Sequence, residues 1–253
     1  MEEKEWDKLA SKYHDEVISP FFGEVENPLQ GELRKIKDKK KKNVAEFGCG
    51  LFYLGEKLSN MFKQVHASDF SKEMVKKAIE RNKSIIKKSG NLNIIQEDIR
   101  EIHYKNKFDV IISVNSLLMP SLDDLKIAFN NLFESLKPKG TCFMILPSME
   151  SVIYHGHLLL HRELGKHDEK TAKKKAKVKF EHHKYDLFTG HYEDGGEKQK
   201  FYYKHEIKQF MKKAGFKDIE ISKVKYSWGK EISDYEDFPE EPRLWDWFVK
   251  AKK

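Results

Sequence analysis

The stretch NVAEFGCGLFYLG, residues 43–55, joins a short apolar strand pattern to a turn that contains glycine. Gly48 and Gly50 follow the strand pattern directly. A nicotinamide dinucleotide fingerprint needs a third glycine at position 53, where Tyr53 stands, and a Walker loop needs Gly-Lys-Ser/Thr, which this stretch lacks. The turn therefore predicts a cofactor site at the end of a strand, and it favours neither a dinucleotide nor a nucleoside triphosphate.

Strand and helix patterns alternate after this turn. The apolar runs QVHAS, LNII, FDVIISV and TCFMIL predict strands, and helical patterns over about 53–60, 71–88 and 122–136 lie between them. A later helical pattern, KHEIKQFMKKAGF, precedes two more strand patterns, KDIEISKV and LWDWFVKA. Such alternation is typical of parallel strands joined by crossover helices. We therefore predict an α/β fold, with a mostly parallel sheet of seven strands and helices on both faces.

These patterns divide the chain into four predicted segments. Residues 1–42 form an N-terminal helical segment, because apolar side chains recur at helical spacing over 3–18. Residues 43–147 form the cofactor-binding core, and residues 201–253 form its C-terminal part. Residues 148–200 lack strong periodicity and are longer than a simple connection. We predict that residues 148–200 form an inserted lid over the substrate pocket.

Composition restricts the class of protein. The chain has 253 residues, of which 35% are charged, and a formal net charge of +7. Positive charge permits attraction to nucleic acid, but acidic residues alternate with the lysines, so a solvated surface is the preferred interpretation. Two cysteines cannot form a disulfide framework or a four-thiolate zinc site. With no signal-peptide pattern and no apolar run long enough to span a bilayer, the sequence predicts a cytoplasmic protein outside the membrane.

Further motifs accompany the glycine turn in a fixed order. Glu46 stands two residues before Gly48, VHASDFSKEMV contains Asp69, and QEDI contains Asp98. FDVII and LKPKG follow later in the chain. In this order the motifs resemble those of the class I S-adenosylmethionine-dependent methyltransferases, well over residues 40–147 and more loosely over MKKAGFKDIEI. The resemblance implies a Rossmann-like fold and S-adenosylmethionine as the cofactor.

The resemblance also implies roles for individual residues. Asp69 would accept hydrogen bonds from both ribose hydroxyls, and Phe70 would lie against the adenine. Asp98 would accept from the adenine amino group, beside the backbone N–H and apolar face of Ile99. The family usually has another glycine at position 52, so Phe52 is either a tolerated or a specialised departure. The predicted cofactor-binding residues are Tyr13, Glu46, Gly48, Cys49, Gly50, Asp69, Phe70, Met74, Asp98, Ile99 and Asn115.

The acceptor end of the site is predicted from the segment 148–200, which contains seven of the eleven histidines. A lid rich in imidazole and aromatic groups could close a pocket and supply a base, so we predict His155, His191 and Tyr192 as catalytic residues. His157 and His161 have a spacing that metals use, but no acidic or thiol partner is fixed nearby by the sequence. We therefore predict no metal site.

The predicted function is in-line transfer of a methyl group to an oxygen, nitrogen or sulfur atom of a small molecule. One alternative is an RNA or protein methyltransferase that uses the basic run KKKAKVK. Nucleic acid is not favoured, because the fourth strand ends in VNSLL and not in Asn/Asp-Pro-Pro-Tyr/Phe. The other alternative is a non-catalytic relative that binds cofactor or a partner: Phe52 supports it, and the intact Asp69 and Asp98 oppose it. The sequence leaves the oligomeric state open.

Overall fold

The computed structural model describes residue 7, residues 19–229 and residues 238–253. The strands are, in chain order, β1 (Asn43–Phe47), β2 (Gln64–Asp69), β3 (Leu92–Gln96), β4 (Phe108–Val114), β5 (Leu136–Pro147), β6 (Tyr185–Asp186), β7 (His191–Asp194), β8 (Glu197–Lys200), β9 (Lys217–Lys225) and β10 (Trp245–Lys252). The main sheet has the order β3-β2-β1-β4-β5-β10-β9. Its first five strands are parallel, and β10 is antiparallel to both β5 and β9. The predicted seven-stranded, mostly parallel α/β fold is confirmed.

Eight α-helices lie in the part of the chain that the structure describes: α1 (Leu29–Lys35), α2 (Gly55–Met61), α3 (Lys72–Arg81), α4 (Lys83–Ser89), α5 (Leu122–Ser135), α6 (Met149–Leu164), α7 (Glu169–Lys179) and α8 (Lys204–Ala214). Gly215 ends α8 with a φ of 105°, a conformation that suits glycine after a helix. Across the described ranges, none of these helices is long and apolar enough to cross a bilayer.

Alternate residues of the central strands enter two separate hydrophobic cores. In β1, Val44 packs into one core, and Ala45 and Phe47 pack into the other. In β5, Phe143 belongs to the first core and Met144 to the second. Because successive side chains of a strand point to opposite faces, this division shows that both faces of the sheet are covered.

The structure corrects the single helix predicted over 71–88. The helical run is interrupted at Asn82, which lies between α3 and α4. The buried Asn82 amide donates to the carbonyl oxygens of Ala78 at 2.9 Å and Phe52 at 3.3 Å. An asparagine side chain that bonds to the backbone competes with helix continuation, so the break occurs where this amide reaches the glycine turn.

Residues 148–200 are more regular than predicted. They form the helices α6 and α7, which pack against each other, and a small antiparallel sheet of β6, β7 and β8. The run KTAKKKAKVK is helical, and Asp168 caps it by accepting from the Thr171 N–H at 3.1 Å. Its buried residues are Ala172 and Ala176, a narrow apolar stripe among lysines. So small a stripe explains why the helical period was not recognised in the sequence.

Candidate cofactor and acceptor cleft

The glycine turn has left-handed backbone at every second residue. The φ angles are 69° at Gly48, 51° at Gly50 and 51° at Phe52. The Cys49 N–H donates to the Ser68 carbonyl at 2.9 Å, which fastens the turn to the end of β2. Glycine adopts such angles without steric strain, so two of the three positions have the residue that the backbone favours.

Glycine is favoured at position 48 for a second reason, because the backbone there closely approaches the residues that follow β4. A Cβ atom added to Gly48 would lie 2.1 Å from the Cβ of Ser116. The Ser116 hydroxyl donates to the Phe47 carbonyl at 3.1 Å, so the two segments are bonded as well as packed. The end of β1 and the end of β4 therefore form one continuous rim.

Phe52 has the left-handed backbone conformation that glycine favours, although it carries an aromatic side chain. A left-handed conformation costs a non-glycine residue about 1–2 kcal/mol. The ring is fully buried in the core with Leu54 and Leu58, and it does not line the cleft described below. Burial of an aromatic ring contributes more than this strain costs, so the turn keeps its shape while Phe52 packs the core. Gly55 allows this packing, because a Cβ there would lie 3.1 Å from the Phe52 Cδ1 and 2.1 Å from the Asn82 Oδ1.

Asp69 ends β2 beside the turn, and backbone donors hold both of its carboxylate oxygens. The Gly50 N–H donates to Oδ2 at 2.9 Å, and the Ser71 N–H donates to Oδ1 at 3.0 Å. Burial raises the pKa of Asp69 to about 6, and the hydrogen bonds from Ser71 and Gly50 oppose that increase. At neutral pH the group is therefore mostly an anion, with further acceptor capacity toward the cleft.

Glu46 is a second buried carboxyl group, two residues before Gly48. Among the described residues its Oε2 atom has no hydrogen-bond partner. Burial, and secondarily the negative charge of Asp69, raise the pKa of Glu46 to about 8. Glu46 is thus mostly protonated at neutral pH, and a cation bound at the turn would favour its ionisation.

An open cleft lies along the carboxyl ends of β1, β2, β3 and β4. Seven predicted cofactor-binding residues line it: Gly48, Gly50, Asp69, Phe70, Met74, Ile99 and Asn115. The predicted residues Glu46, Cys49 and Asp98 do not. Lining residues that sequence reasoning did not assign are Glu97, Arg100, Leu118, Met119, Pro120, Ser121 and Asp124.

Asp98 is engaged by an arginine that the sequence reasoning missed. The Arg100 Nε lies 3.0 and 2.9 Å from the two carboxylate oxygens of Asp98. The same guanidinium donates from Nη1 to the Asp124 Oδ2 at 3.0 Å, so it bridges the end of β3 to the first turn of α5. The only sequence signal was the acidic–basic spacing in EDIR. Binding of adenine by Asp98 stays a prediction.

Asn115, directly after β4, belongs to a buried polar group that joins three strands. It has a φ of 47°, and its Nδ2 donates to the Asp246 Oδ2 at 3.2 Å. The Tyr226 hydroxyl donates to the same oxygen at 2.5 Å. Burial raises the pKa of Asp246 to about 6, against the effect of these two donors. The sequence reasoning found neither Tyr226 nor Asp246.

The three predicted catalytic residues do not line the cleft. His155 is buried in α6, where its ring lies 5.8 Å from that of Phe238, and burial lowers its pKa to about 4. In β7, the Nε2 of His191 lies 3.0 Å from the Pro120 carbonyl oxygen. The hydroxyl of Tyr192 donates to an Asp194 oxygen at 3.2 Å. No described residue of 148–200 lines the cleft, although His191 contacts the lining residue Pro120, so the predicted lid and its catalytic residues stay predictions.

Tyr13, a predicted cofactor-binding residue, lies outside the described residues. A nearby part of the N-terminal segment is described, because the Asp7 Oδ1 accepts from the Ser71 hydroxyl at 2.5 Å and from the Glu73 N–H at 3.2 Å. Asp7 therefore lies at the start of α3, immediately after Asp69 and Phe70.

The comparisons with known proteins agree with this geometry. A family model described as a methyltransferase domain matches residues 44–140. Over 99 residues the chain is 35% identical to the malonyl-[acyl-carrier protein] O-methyltransferase of Bacillus anthracis. The aligned stretch covers 38% of this chain and 34% of the relative. The chain thus spans about a third of the length of that curated relative.

Solved structures extend the similarity of fold beyond the matched domain. An S-adenosylmethionine-dependent methyltransferase from Methanosarcina mazei has a TM-score of 0.58 and 14% identity, over 90% of this chain and 97% of that one. The N-methyltransferase NodS from Bradyrhizobium japonicum, solved with S-adenosylhomocysteine, has a TM-score of 0.57 and 12% identity, over 99% and 97%.

The residues of the cleft fit the cofactor of this family. The turn approaches the cleft with bare backbone at Gly48 and Gly50, and Asp69 presents a fixed acceptor beside it. A ligand with hydroxyl and ammonium donors suits such a set. The motifs, the strand order and the match over residues 44–140 agree that the chain contains a methyltransferase domain of the class I S-adenosylmethionine-dependent type, whose cofactor is S-adenosylmethionine.

Proposed function

We propose that this protein catalyses transfer of a methyl group from S-adenosylmethionine to a small-molecule acceptor. The observation that carries the proposal is the continuous cleft between Asp69, at the end of β2, and Asn115, at the end of β4. In an open α/β sheet, ligands bind at the carboxyl ends of the strands, where the strand order reverses. Here the reversal lies between β1 and β4, and the cleft crosses it.

The cofactor end of the cleft is built to bind and orient. Asp69 would accept hydrogen bonds from the two ribose hydroxyls, since its backbone donors already hold the carboxylate in place. Phe70, Met74 and Ile99 would supply apolar surface for the adenine. When bound, S-adenosylmethionine supplies an activated methyl group on a sulfonium centre. The chain then needs only to exclude water and align the acceptor for in-line attack.

The acceptor end supports a small molecule over a nucleic acid. Leu118, Met119 and Pro120 give it an apolar wall. Among the described lining residues Arg100 is the only cation, and it is paired with Asp98 and Asp124. A nucleic-acid site would need several cations free to bind phosphates. The relatives include a malonyl-[acyl-carrier protein] O-methyltransferase and an N-methyltransferase, which supports an acyl or amine acceptor without deciding between them.

Two measurements test the proposal. Calorimetric titration with S-adenosylmethionine and S-adenosylhomocysteine should show binding at one site, and release of S-adenosylhomocysteine should depend on an added acceptor. The acceptor panel should contain amines, alcohols, thiols and a malonyl thioester. A folded protein that binds neither compound at millimolar concentration would contradict the proposal. Tight, salt-sensitive binding of bulk tRNA with methyl incorporation into it would favour the RNA alternative instead.

A further inference from the structure

Positive charge is concentrated in one stretch of the chain, residues 170–184. This stretch contains seven lysines, no arginine and one acidic residue, so its net charge is +6 in a chain whose net charge is +7. Most of it is the helix α7, which buries Ala172 and Ala176. The opposite side of the helix is exposed and is formed by Lys170, Lys174, Lys177 and Val178.

The lysines on the exposed side of α7 are not neutralised by carboxylates of the described chain. Lys173, elsewhere on the helix, forms an ion pair with Glu169. Within the described ranges, Lys170, Lys174 and Lys177 have no such partner. Their charge is directed to solvent, where it attracts anionic partners.

Apolar side chains protrude beside these lysines. Val178 is 70% exposed, and in the turn between β6 and β7 Phe188 is 95% exposed and Leu187 44%. The ring of Phe180 stacks on that of Tyr185 with 5.1 Å between centroids, so the end of α7 is fastened to β6 just before this turn. Helix and turn therefore form one surface, the docking face, which consists of Lys170, Lys174, Lys177, Val178, Leu187 and Phe188.

Hydrogen bonds hold the turn that presents Phe188. The Asp186 Oδ1 accepts from the N–H of Phe188 at 3.0 Å and from the N–H of Thr189 at 3.2 Å. The Tyr203 hydroxyl donates to the Leu187 carbonyl. The ring is thus held in solvent by an ordered turn, and apolar side chains grouped at a surface mark interaction sites.

The chemistry of the docking face favours an anionic lipid surface over a nucleic acid. Lipid head groups attract nearby lysines, and apolar side chains enter the boundary between head groups and acyl chains. A nucleic acid would use the lysines, but Val178 and Leu187 would have no apolar partner, and only Phe188 could stack on a base. Lysine acts as a point charge, whereas arginine, absent from residues 170–184, is suited to bidentate recognition of phosphate.

We propose that the docking face binds the protein to an anionic lipid surface, with Phe188, Leu187 and Val178 below the head groups and the lysines against them. Such binding needs no helix that spans the bilayer. The inference goes beyond the proposed function, because no residue of the docking face lines the cleft.

The small sheet connects the docking face to the apolar wall of the cleft. The His191 Nε2 lies 3.0 Å from the Pro120 carbonyl oxygen, and the Lys200 N–H donates to the Leu118 carbonyl at 3.1 Å. Phe188 is three residues before His191 in the chain. The contact with lipid is therefore made by the element that packs behind Leu118 and Pro120.

The first experiment measures binding of the whole chain to vesicles by co-sedimentation. Vesicles of phosphatidylcholine with about 30% phosphatidylserine should bind the protein, and vesicles of phosphatidylcholine alone should not. Raising the salt from about 0.1 M to about 0.5 M should weaken binding, because the charges are solvent-exposed. Equal binding to both kinds of vesicle, or binding to neither, would overturn the inference.

The second experiment locates the charges that bind. One variant combines Lys170→Gln, Lys174→Gln and Lys177→Gln. Its control has the same change of charge on exposed lysines of α4 and α8, and combines Lys87→Gln, Lys208→Gln and Lys212→Gln. The first should bind anionic vesicles roughly 100-fold more weakly, since each lysine near such a surface contributes about fivefold. A loss as large in the control would contradict the proposed location.

The apolar part of the docking face has its own test. Phe188→Ser should weaken vesicle binding by roughly 10-fold, and Ile79→Ser, at an exposed position of α3, should leave it unchanged. Tight binding of bulk tRNA that the lysine variant loses and Phe188→Ser retains, without vesicle binding, would assign the face to nucleic acid and overturn the inference.

A label at position 188 detects the lipid directly. Cys49 and Cys142 are buried, so Phe188→Cys adds an accessible thiol for an environment-sensitive dye. Its emission should shift to the blue on anionic vesicles, whereas the same dye on Ile79→Cys should not shift. Equal emission at position 188 with and without vesicles would contradict insertion. Titration with S-adenosylmethionine in the absence of vesicles tests the proposed function separately, since none of the substituted residues lines the cleft.

Discussion

Two buried carboxylates, Asp69 in the lining of the cleft and Asp246 behind the lining residue Asn115, have pKa values that burial raises to about 6, but they are held in different ways. Asp69 accepts from the backbone N–H groups of Gly50 and Ser71. Asp246 accepts from the side chains of Tyr226 and Asn115. Backbone donors remain when side chains are replaced, whereas side-chain donors are lost with a single substitution. The cofactor end is therefore resistant to sequence change, and the acceptor end is where specificity can change.

The largest effect is expected where the two ends touch. Gly48→Ala introduces a Cβ 2.1 Å from the Ser116 Cβ at a φ of 69°. Overpacking and left-handed strain together should lower the free energy of unfolding by about 4 kcal/mol. Gly90→Ala is the matched control, since its φ is 64° but nothing lies within 4 Å of the added Cβ. Urea unfolding should show only about 1 kcal/mol for the control; equal losses would show that the contact with Ser116 is unimportant.

Phe52→Gly tests whether the departure from glycine serves packing or the pocket. The change relieves about 1–2 kcal/mol of backbone strain and removes a ring whose burial is worth about 3–5 kcal/mol. Glycine also adds chain entropy to the unfolded state. We expect a net loss of about 3 kcal/mol in denaturant unfolding, with cofactor affinity nearly unchanged. Lower turnover with normal melting would show instead that the ring shapes the methionine end of the pocket.

Asp69→Ala should weaken S-adenosylmethionine binding by about 1.5–3 kcal/mol, the scale for hydrogen bonds to a charged group. Calorimetry measures this directly. Asp109→Ala is the control, because Asp109 also accepts a backbone N–H, from Asn43 at 2.8 Å, but does not line the cleft. Unchanged affinity in Asp69→Ala would mean that the motif has been assigned to the wrong position.

The smallest effect, when expressed per pH unit, is a pH dependence at the cofactor end. The pKa of Glu46 is raised from 4.5 to about 8 in the folded state, so its contribution to stability is fully present below pH 4.5 and is lost as the pH rises through 8. Glu46→Gln removes this loss. The slope of unfolding free energy against pH between 5 and 8 should differ from wild type by at most ~1.4 kcal/mol per unit. Parallel wild-type and variant curves would show that Glu46 titrates normally.

The sequence could predict that the residues proposed to bind the cofactor lie close together. Gly48 and Gly50 follow β1, Asp69 ends the adjacent parallel strand β2, and any such sheet brings the ends of those strands together. The partners of Asn115 could not be predicted in this way. Tyr226 follows β9, and Asp246 lies in β10. In the sheet β10 lies between β5 and β9, and no local sequence pattern indicates that strand order.

The regular structure of the segment 148–200 was not predicted, for a different physical reason. Its helix α7 has a buried face made of two alanines, which gives a weak periodic signal among lysines. His191 drew attention as a chemical group, yet its Nδ1 lies 2.7 Å from the Thr189 Oγ1 and its Nε2 faces the Pro120 carbonyl. Composition shows which residues are present, but the direction of each ring depends on contacts that only the folded chain supplies.

The position of β10 has a consequence for synthesis on the ribosome. Because β10 lies between β5 and β9 but follows both in the chain, the backbone edge of β5 stays unpaired until residues 245–252 have emerged. About 100 residues separate the two strands, which corresponds to roughly 5–20 s of translation at 5–20 residues per second. Over that interval the nascent chain exposes an edge strand of buried apolar residues, including Phe143 and Ile145. Productive folding in the cell should therefore depend on holdase chaperones, and slowing translation between residues 147 and 245 should increase aggregation.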